Sequence, residues 1–346
     1  NAVDAVTDLL CPENGGEAFI DQIMNARAQT KPVSTGMKSM DIDMEGGVRR
    51  PGESQGGRLF TLAARTGVGK TILGVYSAVN LAYGGLTVGF ISAELDKASI
   101  YARIWASASY VHEKGDFAYV DKDTARKRCA AVGDIESPPS DPVERNRISE
   151  IISQSAMAIQ NNGGKILIED PWGADVDAVV NSLRSMKAKN PELRCVVLDH
   201  FHVLARHKGA PNSDAAMLED RAYKLMNCAK QLEIDLIVLA QMNRVGMGVG
   251  DNSAPTLDQI RGTDALSHVS HAVWIVRRET GNKDDDPREK AKKPLELHHA
   301  KTRGRQAYWC EKDHRMQGVS GGFIDRSILK MDYAYSAVNF DDTVVG

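Results

Sequence analysis

The residues Ala63–Thr71, AARTGVGKT, hold the densest chemistry in the chain. They meet the phosphate-binding pattern G-x-x-x-x-G-K-[ST] at Gly69, Lys70 and Thr71, with Ala64 standing where the pattern has its first glycine. Backbone N–H groups of the Gly67–Thr71 turn would cradle phosphate at a helix N-terminus, where the dipole also favours anions. Arg65, Thr66 and Val68 complete the loop. Lys70 is the expected contact of the β- and γ-phosphates, and Thr71 that of Mg²⁺. Gly67 and Gly69 supply backbone freedom, and Ala64 adds only a methyl group at the exit of a strand.

A loop of this type needs a magnesium-binding acid on a buried strand. The run CVVLDH ends such a strand on Asp199, which could otherwise be a capping residue. Hydrolysis also needs a group that positions or activates water. Candidates stand at strand ends: Glu94 in GFISAEL, Glu169 and Asp170 in ILIEDP, and Gln241 in LAQMNR. Glu94 follows the strand directly after the loop helix, which would bring it near the γ-phosphate; the alternative is a helix cap. Asp170 precedes Pro171 and reads as a turn residue. The histidines His200, His202, His207, His268, His271, His298 and His299 show no zinc spacing with cysteines. No metal beyond Mg²⁺ is expected.

The elements that must hold these groups alternate. Candidate strands are 59–63, 87–92, 165–169, 195–198, 236–240 and 272–276, each short and rich in Val, Ile or Leu. Helical patterns cover 71–83, 98–110, 143–161, 176–188 and 215–232. This rhythm predicts an α/β fold, a parallel sheet with helices on both faces. The carboxyl ends of parallel strands line one ligand crevice. Residues 16–28 read as a short amphipathic helix with no local partner, and 295–325 as one or two hairpins. Polar loops fall at 137–142, 206–214, 245–255 and 281–294.

Bulk properties narrow the class. The chain has 346 residues, 42% hydrophobic and 26% charged, which fits one large domain with appendages or two domains. The longest apolar runs are too short to span a bilayer, and no secretion signal is evident. The net charge of −3 argues against a surface that coats nucleic acid everywhere, but leaves room for a pore lined by a few loops. Cys11, Cys129, Cys195, Cys228 and Cys310 are scattered, as expected of reduced thiols in a cytoplasmic compartment. The sequence opens on Asn1 rather than Met, as a processed form, a fragment or part of a longer chain would.

The order ARTGVGKT, ISAEL, VVLDHFHVL, LAQMNR, RGTDALSHVSHAVWIVRRE and HHAKTRGR resembles the ATPase domain of DnaB-type hexameric replicative helicases, from about residue 35 to residue 325. Arg103, nine residues past Glu94, matches a family position too. Some motifs lean towards the phage and mitochondrial branches and others towards the bacterial one.

The resemblance implies a RecA-like P-loop NTPase core over 35–330, an N-terminal segment 1–34 whose linker helix docks on an adjacent subunit, and a tail at 331–346. It implies ATP and Mg²⁺ as cofactors. Glu94 would be the base that polarises the attacking water, Asp199 the magnesium-associated acid, and Gln241 the γ-phosphate sensor. Arg278 would pack on the nucleotide base. Lys301 and Arg303 would reach the γ-phosphate of the neighbouring subunit, with Arg305 competing for that role. Arg206, Lys208, Arg261, Gly262 and Thr263 would face single-stranded DNA in the channel of a homo-hexamer, with no membrane involved. A loader and a primase are possible partners in a bacterial or phage-infected cell, although no stretch of these residues corresponds to the family's primase-recruiting N-terminal domain. The expected activity is ATP-driven unwinding with 5′ to 3′ translocation. The alternatives are a recombinase-like or clock-like ATPase ring or filament, or a non-hydrolysing nucleotide-gated loader or scaffold.

Overall fold

The computed structural model describes residues 31–51, 57–114, 127–242, 257–260, 263–278, 295–303, 326–332 and 337–340. The expected linker helix at 16–28 lies outside the described residues, as do Arg261, Gly262 and Arg305. The elements run α1 (Lys38–Asp43), β1 (Leu59–Ala64), α2 (Lys70–Tyr83), β2 (Thr87–Ser92), α3 (Lys97–Lys114), α4 (Val132–Glu136), α5 (Pro142–Asn161), β3 (Lys165–Glu169), α6 (Val176–Lys189) and β4 (Leu193–Asp199). There follow α7 (Asp214–Leu232), β5 (Asp235–Gln241), α8 (Thr263–Val269), β6 (Ala272–Arg278), β7 (Leu295–Thr302), β8 (Arg326–Asp332) and β9 (Ala337–Phe340).

All described strands form one sheet in the order β3-β2-β4-β5-β1-β6-β7-β8-β9. Every pair from β3 to β6 is parallel. From β6 onward the pairs are antiparallel. Of the section expected to form hairpins, 295–325, only 295–303 is described; there β7 pairs antiparallel with β6 and with β8, extending the parallel sheet. Within the segment expected as a tail, Ala337–Phe340 is a strand, paired with β8 from Leu329↔Phe340 to Asp332↔Ala337. Its four residues, AVNF, give too short an alternation to stand out in the sequence.

The period of two splits β1 between two cores. Phe60, Leu62 and Ala64 join Leu73, Tyr76, Ile100 and Ile104 of α2 and α3 on one face. Leu59 and Ala63 join Val179, Leu183, Leu225 and Ala229 of α6 and α7 on the other. Helix α2 lies close against the sheet because Gly74 has no side chain. A Cβ there would sit 3.0 Å from both Leu239 and Val197. Helices α5 and α6 carry side-chain N-caps. Asp141 accepts from the Val143 N–H (3.1 Å) ahead of Pro142, and Asp175 accepts from the Ala178 N–H (2.9 Å).

Helix α1 is locked to the far side of the sheet by one buried carboxylate. Asp43 accepts from Trp274 Nε1 (2.7 Å), His299 Nδ1 (2.5 Å) and Thr302 Oγ1 (2.9 Å). Burial alone would raise the Asp43 pKa. The hydrogen bond and charge of His299, helped by Trp274 and Thr302, outweigh it and hold the carboxyl below its usual range. The stability this confers is present above the ordinary carboxylate pKa and is lost as pH falls through the depressed value. Asp43→Ala would leave two buried donors and one half-buried donor without this acceptor. It should cost roughly 3 kcal/mol in urea unfolding at neutral pH, and less in acid; a neutral-pH loss under about 0.5 kcal/mol would contradict this role.

Candidate functional site

The phosphate loop leaves β1 at Ala64, which is fully buried between Gln241 of β5 and Val276 of β6. Its methyl group is part of the core, which is why alanine serves at this position. The loop Arg65–Gly67 is exposed, and Lys70 opens α2. Gly67 (φ 77°) and Gly69 (φ 113°) both occupy left-handed backbone, the region where a side chain is strained. The loop can therefore fold back over the N-terminus of α2 with its N–H groups turned inward, as anion binding requires.

Asp199 ends β4 beside this loop. Its Oδ2 accepts from Thr71 Oγ1 at 2.7 Å. Its Oδ1 is buried with no hydrogen-bond partner among the described residues. Burial, with the Glu94 charge adding, pushes the Asp199 carboxyl up to about 6 against the lowering effects of Thr71 and Lys70. Lys70 is buried too, and burial lowers its pKa despite the nearby Asp199 and Glu94. A buried carboxylate oxygen without a partner, next to a threonine hydroxyl and a second carboxylate, is a hard-oxygen donor set that fits Mg²⁺. Glu94, Asp199 and His200 offer ligand atoms within 4.8 Å of one another.

Glu94 follows β2 with its carboxylate half-exposed, and Oε2 lies 2.9 Å from His200 Nδ1. The capping alternative fails for it, because other residues cap the turn into α3. Ser92 Oγ accepts from the Leu95 N–H (2.9 Å) and Asp96 from the Ser99 N–H (2.7 Å). Asp170 also has a structural task, accepting from the Lys97 N–H at 2.9 Å. Gln241 ends β5 and donates from Nε2 to Thr66 Oγ1 of the phosphate loop at 2.8 Å. Arg103 lies on α3, bonded to the Ser99 carbonyl (2.8 Å) and to Glu136 (3.1 Å), with its charge felt at Asp199.

Other expected site residues fall elsewhere. Arg278 is at the carboxyl end of β6, the edge that carries the phosphate loop, and its backbone alone is described. Lys301 and Arg303 are at the opposite edge. Thr302 pairs with Ala272, which pairs with Phe60 near the start of β1. From that level to the phosphate loop is ~15 Å along the strands. Lys301 Nζ donates to the Ser267 carbonyl, while Arg303 is exposed and has no carboxylate partner among the described residues. Arg206 bonds within its own loop, to the Pro211 carbonyl and to Asp214 (2.8 Å), and Lys208 is exposed. Thr263 opens α8, described by its backbone.

Sequence reading passed over His200 and His202 as site residues. The signal was their position in DHFH, directly after the acid, where only a metal role was weighed. The structure brings His200 against Glu94, and His202 Nδ1 accepts from the Gln241 N–H at 3.1 Å.

A family model described as the DnaB-like helicase C terminal domain matches residues 32–311. Among solved structures, the chain is similar to one described as an ATPase domain, with a TM-score of 0.65 and 19% identity, covering 93% of this chain and 96% of that one. It is similar to a DnaB-like replicative helicase, solved in a study of its interactions with primase, with a TM-score of 0.66 and 19% identity, covering 97% and 70%. At that identity the likeness speaks for the fold, which is that of RecA-like ATPase domains. A comparison with curated proteins finds no match. The family model spans most of the chain, and with the phosphate loop and the acid of β4 both in register, the protein belongs to the DnaB-like helicase family.

Proposed function

We propose that this chain is the ATP-hydrolysing motor of a ring-shaped replicative helicase, which moves along single-stranded DNA, 5′ to 3′, and unwinds duplex. One observation carries the reading. Glu94, Asp199, Gln241 and the phosphate loop end the four adjacent parallel strands β2, β4, β5 and β1, while Lys301 and Arg303 stand at the other end of the same sheet. The cleft holds what binds and cleaves a triphosphate except the cation that completes it. That cation lies out of reach of its own loop and would have to come from a neighbouring copy. Residues 1–34, with the linker helix, would hold such a ring together, and 35 to about 340 would form the ATPase domain.

The loop N–H groups and Lys70 would hold the β- and γ-phosphates. Mg²⁺, when bound, neutralises charge on those oxygens. Thr71 and Asp199 would hold it, and Glu94 would orient and polarise the attacking water. Gln241, tied to Thr66, would sense the γ-phosphate and pass its presence to the loops that follow β4 and β5. Arg303 from the next subunit would stabilise charge in the transition state, an effect worth ~10³–10⁵ in rate for fingers of this kind. Lys208 and the Arg261–Thr263 segment would grip DNA phosphates without reading sequence. Primase is a further partner of this reading, supported by the likeness to a helicase described with primase; a loader is proposed on the family resemblance alone. An ATPase ring or filament that does not unwind would share this cleft, and strand displacement on a forked substrate separates the two.

Arg303→Ala should cut hydrolysis by about 10³-fold and leave nucleotide affinity nearly unchanged, as followed with a fluorescent nucleotide; a collapse of binding would put Arg303 in its own subunit's cleft. Arg261→Ala should weaken single-stranded DNA binding and reduce the salt slope by about 1; an unchanged slope would remove it from the DNA path. Asp199 adds a pH test in chelator. Its folded pKa lies above the unfolded one, so the ionised group costs stability: the cost sets in as pH rises above the ordinary carboxylate value and is complete above about 6. Asp199→Asn should therefore raise the melting temperature at about pH 8 and change it little at about pH 4. Equal melting temperatures at the higher pH would contradict the buried charge.

A further inference from the structure

We propose that His200 and His202 are positioning residues for hydrolysis, the first orienting Glu94 and the second fixing Gln241. The inference rests on the proposed ATPase reading and deepens it, since that reading gives the phosphate contacts to the loop and Lys70 and the magnesium contacts to Thr71 and Asp199. The geometry begins in the sheet. Strands β4 and β5 pair through Leu198↔Val238, and β4 ends at Asp199. The backbone ladder makes one more bond, from the Phe201 N–H to the Leu239 carbonyl at 3.0 Å. The next N–H on β5 that faces this segment belongs to Gln241, and its acceptor is the imidazole of His202 at 3.1 Å. An acceptor nitrogen thus stands where a ladder carbonyl would. It requires His202 Nδ1 to be unprotonated, with any proton on Nε2. The strand end that carries the Gln241 side chain to Thr66 is held in this way.

His200 faces the other neighbour. It is buried, and its Nδ1 lies 2.9 Å from Glu94 Oε2. Glu94 is otherwise half-exposed, on a turn whose caps are supplied by Ser92 and Asp96. A side chain of that kind samples several rotamers unless a partner selects one. His200 Nδ1 is buried and makes no aligned hydrogen bond among the described residues, so a small rotation of either side chain would aim its N–H at the carboxylate and select the rotamer that leaves the second oxygen free for water. Phe201, between the histidines, is itself immobilised. Arg221 is buried and donates to the carbonyls of Phe201 (2.6 Å), Leu204 (2.8 Å) and Ala205 (3.2 Å), and it also stacks over the Phe201 ring at 5.3 Å. The water-orienting carboxylate and the sensor are therefore both referred to one rigid segment, the segment that leads into the loop at 206–212.

Asparagine supplies the test, because its side-chain amide can offer either a donor or an acceptor near the position of Nδ1. His200→Ala and His202→Ala should each lower kcat for ATP by about 10- to 100-fold, with KM and nucleotide Kd nearly unchanged. His200→Asn and His202→Asn should recover most of that loss. Alanine variants at the wild-type kcat, or folded asparagine variants as slow as the alanine ones, would overturn the proposal. Hydrogen exchange at the Gln241 amide gives a readout that does not need turnover. Protection should be present in the wild type, lost in His202→Ala and kept in His202→Asn; an unprotected wild-type amide would also overturn it. Wild-type turnover that Glu94→Gln abolishes would leave the ATPase reading standing whichever way the histidine variants fall.

Discussion

In a parallel sheet every strand ends at the same edge, and the chemistry of this protein follows from that constraint. Four neighbouring strands deliver a half-exposed carboxylate, a buried carboxylate, an amide and a glycine loop to one line. Hydrogen bonds across the strand ends hold that line together: the Ala93 N–H to the Asp199 carbonyl (2.6 Å), Phe201 to Leu239, and the Met242 N–H to the Ala64 carbonyl (3.1 Å). None of these groups is adjacent in sequence, yet each is placed by the same ladder. The geometry is inherited from the scaffold, which is the condition for preorganised electrostatics.

The same constraint separates the cation from the cleft. After β6 the sheet turns antiparallel, so β7 runs back and delivers Lys301 and Arg303 to the edge where the strands begin. A cation there has no use to the loop on its own β1. In the proposed ring a second copy would give it one. Folding and association would then contribute different halves of one site, and hydrolysis would be conditional on a neighbour. The buried Asp199 makes a related point. Its partnerless oxygen and raised pKa are costs in the isolated domain, and a bound cation would relieve both.

Much of this was legible in the sequence because burial on both faces leaves a strong mark. The runs at 87–92 and 165–169 coincide with β2 and β3, and the helices differ from their patterns by a few residues at the ends. Glycines with lysine and threonine between β1 and α2 give the loop away, since few other residues tolerate the left-handed backbone. Three features were not legible. Strand β9 is too short for its alternation to register. The lock of α1 on Asp43 joins residues 256 apart in sequence to His299, and no local pattern encodes such a contact. His200 and His202 act on neighbours supplied by other strands, so their partners become visible only once the strand order is known. Arg206, expected to face DNA, is also bonded to Asp214 eight residues on, a pair set by the turn between them.

The proposed division of one active site between two subunits can be tested directly by mixing. Lys70→Ala lacks the phosphate contact and Arg303→Ala lacks the cation, so each alone should turn over little ATP. Combined in equal amounts and allowed to exchange subunits, they form junctions that pair an intact loop with an intact arginine. Turnover should return to about a quarter of the wild-type rate if junctions act independently and subunits mix at random. A mixture as inactive as its components, with exchange verified, would place both residues in the same cleft and contradict the shared site.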